Sequence, residues 1–332
     1  MMLNLSTLLF MMSLMTGTLI SITSSTWIGC WMGLEMNLLS FIPLMSKNKT
    51  PLENEAGMKY FLVQSIASIL FLLSILLTSM MDFNYNEYTT YLMSSSLIMK
   101  MGACPFHFWF PGVMEGLDWS NCLLLMTWQK IAPFILMSYK MTMTMFFMAV
   151  IVLSVLVGAI GGLNQSSLRK LMAYSSISHL GWMMSAMIIS MNYWLLYFII
   201  YMILNSAIIF MFNTQSFSQV SQTYSSNFDT MIKFSTFISM LSLGGLPPFL
   251  GFLPKWMIIQ NMVNSQYMLL ILIMVTTTLI TLYFYLRVMY SAFTFLNYNP
   301  GWNNQNKKSN MSSLVLITSI AGIPIMGMMS II

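Results

Sequence analysis

What most constrains this chain is where its charges are missing. Stretches free of Asp, Glu, Lys and Arg run over 1–34, 60–81, 141–168, 171–228, 256–286 and 309–332. Each reaches or exceeds the roughly 20 residues that a helix needs to cross a hydrocarbon core. Inside lipid only helices and closed barrels satisfy their own backbone, and barrel strands would alternate apolar and polar residues over roughly ten positions. These runs are unbroken, so the sequence predicts an all-α, polytopic membrane protein. Of 332 residues 58% are hydrophobic and 6% charged, whereas a soluble globule carries about a quarter charged residues. No Lys or Arg precedes Lys47, which excludes the basic start of a secretory signal and the Arg-rich face of an import presequence. The first segment is therefore expected to stay in the mature protein. Thirty-nine methionines stand where Leu or Ile would pack as well, a bias of the kind seen in animal mitochondrial genomes. Cys30, Cys104 and Cys122 are odd in number and lack CxxC spacing, so they read as small core residues and no metal or iron-sulfur site is expected.

Apolar runs set against turn and charge punctuation predict eleven spans, at 2–22, 26–45, 58–80, 88–116, 121–139, 142–163, 167–190, 193–213, 230–262, 266–294 and 311–331. On the side of the N-terminus lie Lys47, Lys49, Lys59, Arg169, Lys170, Lys233, Lys307 and Lys308, joined by Arg287 at the end of the tenth span. The opposite connections hold Lys140 alone. Positive residues collect on the matrix or cytoplasmic face, which places the N-terminus there.

The fourth and ninth spans are about thirty residues long and interrupted. Gly102-Ala-Cys-Pro-Phe-His-Phe-Trp-Phe-Pro111 and Gly245-Leu-Pro-Pro-Phe-Leu-Gly-Phe-Leu-Pro254 share the pattern GxxPFxxxxP, 143 residues apart. A packing kink would explain one such helix but explains a repeated ten-residue pattern poorly. Proline deletes a backbone hydrogen bond, leaving carbonyls that only protein neighbours or water can satisfy within the bilayer. The arrangement predicts a five-span repeat over 1–140, a second over 141–296 that is inverted because five is odd, and a loop with a last span over 297–332. Inverted repeats with broken helices are transporter architecture, and the breaks mark where ions pass.

Four ionisable residues fall well inside spans: Glu35, Lys100, Lys130 and Lys255. Each costs about 2.5–3.5 kcal/mol at mid-membrane on insertion scales, which argues for function. Lys100 and Lys130 have a bland reading as lysines that snorkel about a turn to water; Glu35, on a short stem, does not. A carboxylate followed by buried lysines forms a chain in which a charge displaced at one site changes the proton affinity of the next. His107, in the first break, and His179, in the seventh span, could relay protons or hold structure by hydrogen bonds. Glu53, Glu55, Glu115 and Asp118 read as solvated. No GxGxxG after a strand, Walker loop or haem-ligating histidine pair is present, so no nucleotide or redox centre is expected in this chain.

The segments Lys100–Pro111, Thr127-Trp-Gln-Lys-Ile-Ala-Pro133, Leu171-Met-Ala-Tyr-Ser-Ser-Ile-Ser-His-Leu-Gly-Trp182 and Gly244–Trp256 resemble the antiporter-like subunits of respiratory complex I of animal, and in particular insect, mitochondria. The likeness spans nearly the whole chain. It implies a multi-pass subunit of the mitochondrial inner membrane that belongs to an NADH:ubiquinone reductase. It also implies that Glu35 and Lys100 pair in one half-channel, that Lys130 is the central relay and that Lys255 faces the exit. Subunit 4 typically has Glu at that last position, and subunits 4 and 5 are longer, so Lys255 and the chain length set this member apart. Bacterial counterparts begin with three further helices, so Glu35 is expected to need cover from neighbours. The resemblance implies as partners the small hydrophobic membrane-arm subunits, subunit 4 and lipids, with no nucleic acid. NADH, FMN, iron-sulfur clusters and ubiquinone would bind elsewhere, leaving this chain without a cofactor. A multisubunit cation/proton antiporter shares the lysine plan and remains the alternative, beside a structural spacer that carries no protons.

Overall fold

The computed structural model describes residues 5–46, 50–80, 86–142, 144–225, 230–293, 316 and 319. Lys47, Lys49, Lys307 and Lys308, and all of the expected last span except positions 316 and 319, lie outside them. The chain is all-α, as its charge-free runs imply. The helices are α1 Leu5–Thr23, α2 Trp27–Met45, α3 Pro51–Met80, α4 Asn86–Met101, α5 Trp109–Gly116, α6 Trp119–Met126, α7 Trp128–Ser138, α8 Met145–Gly161, α9 Leu168–Ile189, α10 Met191–Thr214, α11 Val220–Ser225, α12 Thr230–Gly244, α13 Phe252–Asn264 and α14 Met268–Phe293. Among the described residues the β structure is one isolated bridge, Ser167 to Gln219. Five helices among the described residues are long and apolar enough to cross a membrane: α1, α2, α3, α10 and Met268–Tyr290 of α14. Their outer faces are bare leucine, isoleucine and methionine, as at Leu9, Met32, Ile69, Ile199 and Leu272, the surface expected of a protein whose solvent is lipid.

The chain divides into two compact units, 1–150 and 151–332. In the first, α1 lies against α2 at backbone distance. A Cβ on Gly17 would sit 3.1 Å from the Gly33 carbonyl oxygen, and one on Gly33 would meet the Ser21 amide. Small residues that let helices approach this closely are how packing substitutes for the hydrophobic effect in lipid. Phe41 of α2, Tyr60 of α3 and Trp109 of α5 form a buried aromatic run with centroids 5.3 and 5.9 Å apart. In the second unit α9 is the central element, buried along nearly its whole length. Gly158 and Gly181 let α8 and α9 touch backbone to backbone. At one end Arg287 of α14 donates to the carbonyls of Leu163 and Gln165.

Both Gly/Pro segments interrupt their helices, between α4 and α5 and between α12 and α13. Three features were not anticipated. The stretch 121–139 is two helices, α6 and α7, joined at Thr127, whose hydroxyl bonds the Leu123 carbonyl at 2.6 Å. The Thr127 amide donates to the same carbonyl at 3.0 Å, and the residue's φ of −114° and ψ of −73° mark the joint. The helix α3 begins at Pro51, seven residues earlier than expected, because Pro suits a first helical position and the Thr50 hydroxyl accepts from Glu53 N at 3.3 Å. In consequence Glu53, read above as solvated, is buried at 4% exposure in a first helical turn, where the helix dipole favours a carboxylate. The short α11 was also unforeseen.

Candidate functional site

Each break is built the same way. Gly102 and Gly245 follow the last residues of α4 and α12 with φ of +73° and +81°, conformations that glycine adopts without the Cβ penalty. A half-helix that stops inside a membrane leaves carbonyls with no helical partner. At the first break Trp109 Nε1 donates to Met99 O at 3.2 Å and Gln64 Nε2 to Lys100 O at 3.1 Å. At the second, the Lys255 ammonium itself donates to Gly244 O at 2.9 Å. These C-terminal ends carry the negative pole of the helix dipole, and a buried cation stands at each: Lys100 in the last turn of α4, and Lys255 facing the end of α12.

In the first unit Lys100 and Lys130 line one cavity with Asn37, Tyr60, Gln64 and Gln129. Its volume is about 20 Å³, enough for about one water. Asn37 Oδ1 and Gln129 Nε2 are buried and have no hydrogen-bond partner among the described residues, so the lining is polar in the way a hydrated site requires. Lys130 is 1% exposed and its ammonium lies 4.9 Å from the Phe110 ring centroid, a cation–π contact that partly replaces lost hydration. Lys100 and Lys255 are 8% and 6% exposed, so none of the three lysines snorkels to water. Glu35, on α2, is half-buried. It stands within electrostatic range of Lys100 and Tyr60 without a direct ion pair to Lys100.

In the second unit His179 of α9 and Tyr197 of α10 share a hydrogen bond of 2.7 Å at the imidazole Nδ1. Together with Tyr201, Leu243, Gly251 and Pro254 they line a cavity of about 10 Å³ that touches the α12–α13 break. Lys255 lies 5.9 Å from the ring of Trp182, one turn beyond His179. His107 is placed differently. Its Nδ1 is held at 3.2 Å from Cys104 Sγ and 3.3 Å from Pro105 O, within its own loop, and its ring packs on Phe108 at 4.2 Å. Among the described residues no three His, Cys, Asp or Glu gather as a metal site would need.

Residues 24–281 match the family described as NADH:quinone oxidoreductase/Mrp antiporter, TM. The chain is 49% identical over 327 residues to NADH-ubiquinone oxidoreductase chain 2 of Locusta migratoria, covering 97% of this chain and 93% of the relative. Against the chain 2 of Bos taurus it is 38% identical, covering 98% of each. The chain belongs to the NADH-ubiquinone oxidoreductase chain 2 family. A chain of respiratory complex I from Thermus thermophilus has the same fold, with a TM-score of 0.84 at 21% identity over 97% of this chain and 77% of that one.

Reading the sequence for costly charges finds the lysines and Glu35. It misses the neutral polar residues around them. Gln64, Gln129 and Asn37 carry a detectable signal, since buried amides in lipid-facing helices need partners, but no fixed spacing links them. Tyr197 and Tyr201, four residues apart in an apolar span, carry no signal of their own in the sequence; in the structure both are 2% exposed against the ring of His179, at 6.0 and 5.2 Å.

Proposed function

We propose that this chain is a proton-translocating subunit of the membrane arm of respiratory complex I, a multi-pass inner-membrane protein that couples electron transfer in other subunits to proton movement. The observation that carries the reading is the shared cavity of Lys100 and Lys130, two buried ammonium groups with Glu35 in electrostatic range. Moving the carboxylate's charge or a proton at one of these groups changes the cost of protonating the next, which is the coupling a pump needs. The membership of the chain 2 family supports the same reading.

In this scheme Glu35 and Lys100 form the input pair, Lys130 is the central relay, and His179 and Lys255 carry the proton onward. His107, held by its own loop, serves the shape of the break. The eleven-span plan with two inverted repeats is supported by the positive-φ glycine and the buried lysine found at both breaks. The charge asymmetry of the sequence supports a matrix-side N-terminus. Half-buried Glu35 and the bare outer faces of α1 and α2 support cover by neighbouring small hydrophobic subunits, with subunit 4 and lipids against other faces.

The test is NADH-driven proton pumping and quinone reduction in assembled complex carrying Lys130→Ala, with Glu35→Ala beside it. Coupled loss of both activities is expected. Full electron transfer with the full proton yield would leave a spacer in place of a pump, and sodium-dependent transport would favour the antiporter reading.

A further inference from the structure

The second unit contains a buried polar contact that the scheme above does not use. His179 and Tyr197 are 6% and 2% exposed, and the Tyr197 hydroxyl meets His179 Nδ1 at 2.7 Å. Both side chains line the cavity that reaches Leu243, Gly251 and Pro254 at the broken helix. An imidazole that gains and loses a proton changes the hydrogen bond it needs: an unprotonated Nδ1 accepts, a protonated one donates. A backbone carbonyl or an ammonium can serve one of these states only. A tyrosine hydroxyl serves both by rotating its proton, because it is donor and acceptor at once. Serine hydroxyls on α9 could play the same part, but Ser175, Ser176 and Ser178 donate to their own helix at 2.7–2.8 Å.

We propose that Tyr197 is a positioning residue for proton transfer: its hydroxyl accepts from Nδ1–H while a proton is gained and lost at the other ring nitrogen, and donates to Nδ1 in the neutral tautomer that keeps its proton on that other nitrogen, so that His179 holds one ring orientation in the cavity at the α12–α13 break throughout. This rests on the reading of His179 as a relay. The other titratable groups near this contact are Tyr201 on α10, whose ring lies 5.2 Å from that of His179, Lys255 on α13, near Trp182 of α9, and Tyr285 on α14, beside Ser175 of α9. The hydroxyl that meets Nδ1 is that of Tyr197.

The experiment compares Tyr197→Phe, Tyr201→Phe, His179→Ala and the double variant His179→Ala/Tyr197→Phe in assembled complex, reading pumping rate against pH. Losing one buried hydrogen bond corresponds to about a threefold to tenfold change. Tyr197→Phe is expected to slow pumping by about that factor and to displace the pH profile, Tyr201→Phe to leave the profile in place, and the double variant to match His179→Ala alone. A wild-type profile for Tyr197→Phe beside a slow His179→Ala would overturn the role of Tyr197 and keep the relay. Normal pumping by His179→Ala would instead remove His179 from the path. Should Tyr197→Phe reduce assembly, rate per assembled complex and the pH profile still separate the outcomes, since a purely structural loss lowers the amount of complex without moving the profile.

Discussion

At the scale of single residues, two of the three buried lysines stand at the C-terminal end of an interrupted helix, where the negative pole of its dipole favours a cation. Lys255 shows the arrangement most directly, with its ammonium on the last carbonyl of α12. Gly245 makes this possible: a Cβ there would lie 3.0 Å from Lys255 Cδ and 3.1 Å from Nζ, and its φ is +81°. Gly245→Ala therefore strains the backbone by about 1–2 kcal/mol and displaces the ammonium. We expect slower pumping with the complex still assembled, measured as proton uptake per assembled complex. Gln64→Leu keeps the volume but leaves the buried Lys100 carbonyl without its donor, at a cost of about 1–3 kcal/mol. A lower midpoint in thermal dissociation of the purified complex is the expected result. The lysines and Glu35 were legible in the sequence because charge in an apolar run is expensive. Gln64 and Tyr197 were not, because a neutral polar residue costs little enough to occur in any span and its partner lies 36 or 18 positions away.

Helix discontinuities organise the next scale. Those at 102–108 and 245–251 were legible from Gly and Pro, whose effects on the backbone are local. The one at Thr127 was not: no Gly or Pro stands at the joint, and the hydroxyl bond from Thr127 to the Leu123 carbonyl is of a kind that threonines such as Thr78 and Thr278 also make inside unbroken helices. With that joint, each buried lysine sits within a few residues of a helix end, Lys130 in the first turn of α7. The start of α3 was misread because the charged residues near Glu53 read as a loop, although Thr50 and Pro51 are helix-start residues. Close packing of α1 on α2 gives a prediction for elements. Gly33→Val places a side chain against the Ser21 amide and the Gly17 carbonyl, so α1 must move away from α2 and the wall that holds Glu35 opens. Loss of assembled complex on a native gel is expected. Gly57→Ala, where an added Cβ meets nothing within 4 Å, should assemble normally.

For the whole molecule, the all-α membrane class followed from charge-free runs alone, because lipid leaves so few ways to satisfy a backbone. Sidedness is a different kind of inference, since it depends on the count of Lys and Arg in the connections. The helix α8 offers a compact test, because its two flanks belong to opposite predicted sides. Thr142 precedes it and Asn164 follows it, and both are exposed. Asn164 neighbours the Arg169 and Lys170 connection assigned to the matrix, and Thr142 neighbours Lys140 on the other side. With Thr142→Cys and Asn164→Cys in mitochondria stripped of their outer membrane, a membrane-impermeant maleimide should label position 142 at once and position 164 only after the inner membrane is opened. The reverse pattern would invert the orientation and move Arg169, Lys170 and Lys233 to the outer face. Because α4 and α12 take their direction from that assignment, the same labelling decides toward which side the C-terminal end of each of these half-helices points, with Lys100 in the last turn of one and Lys255 facing the other.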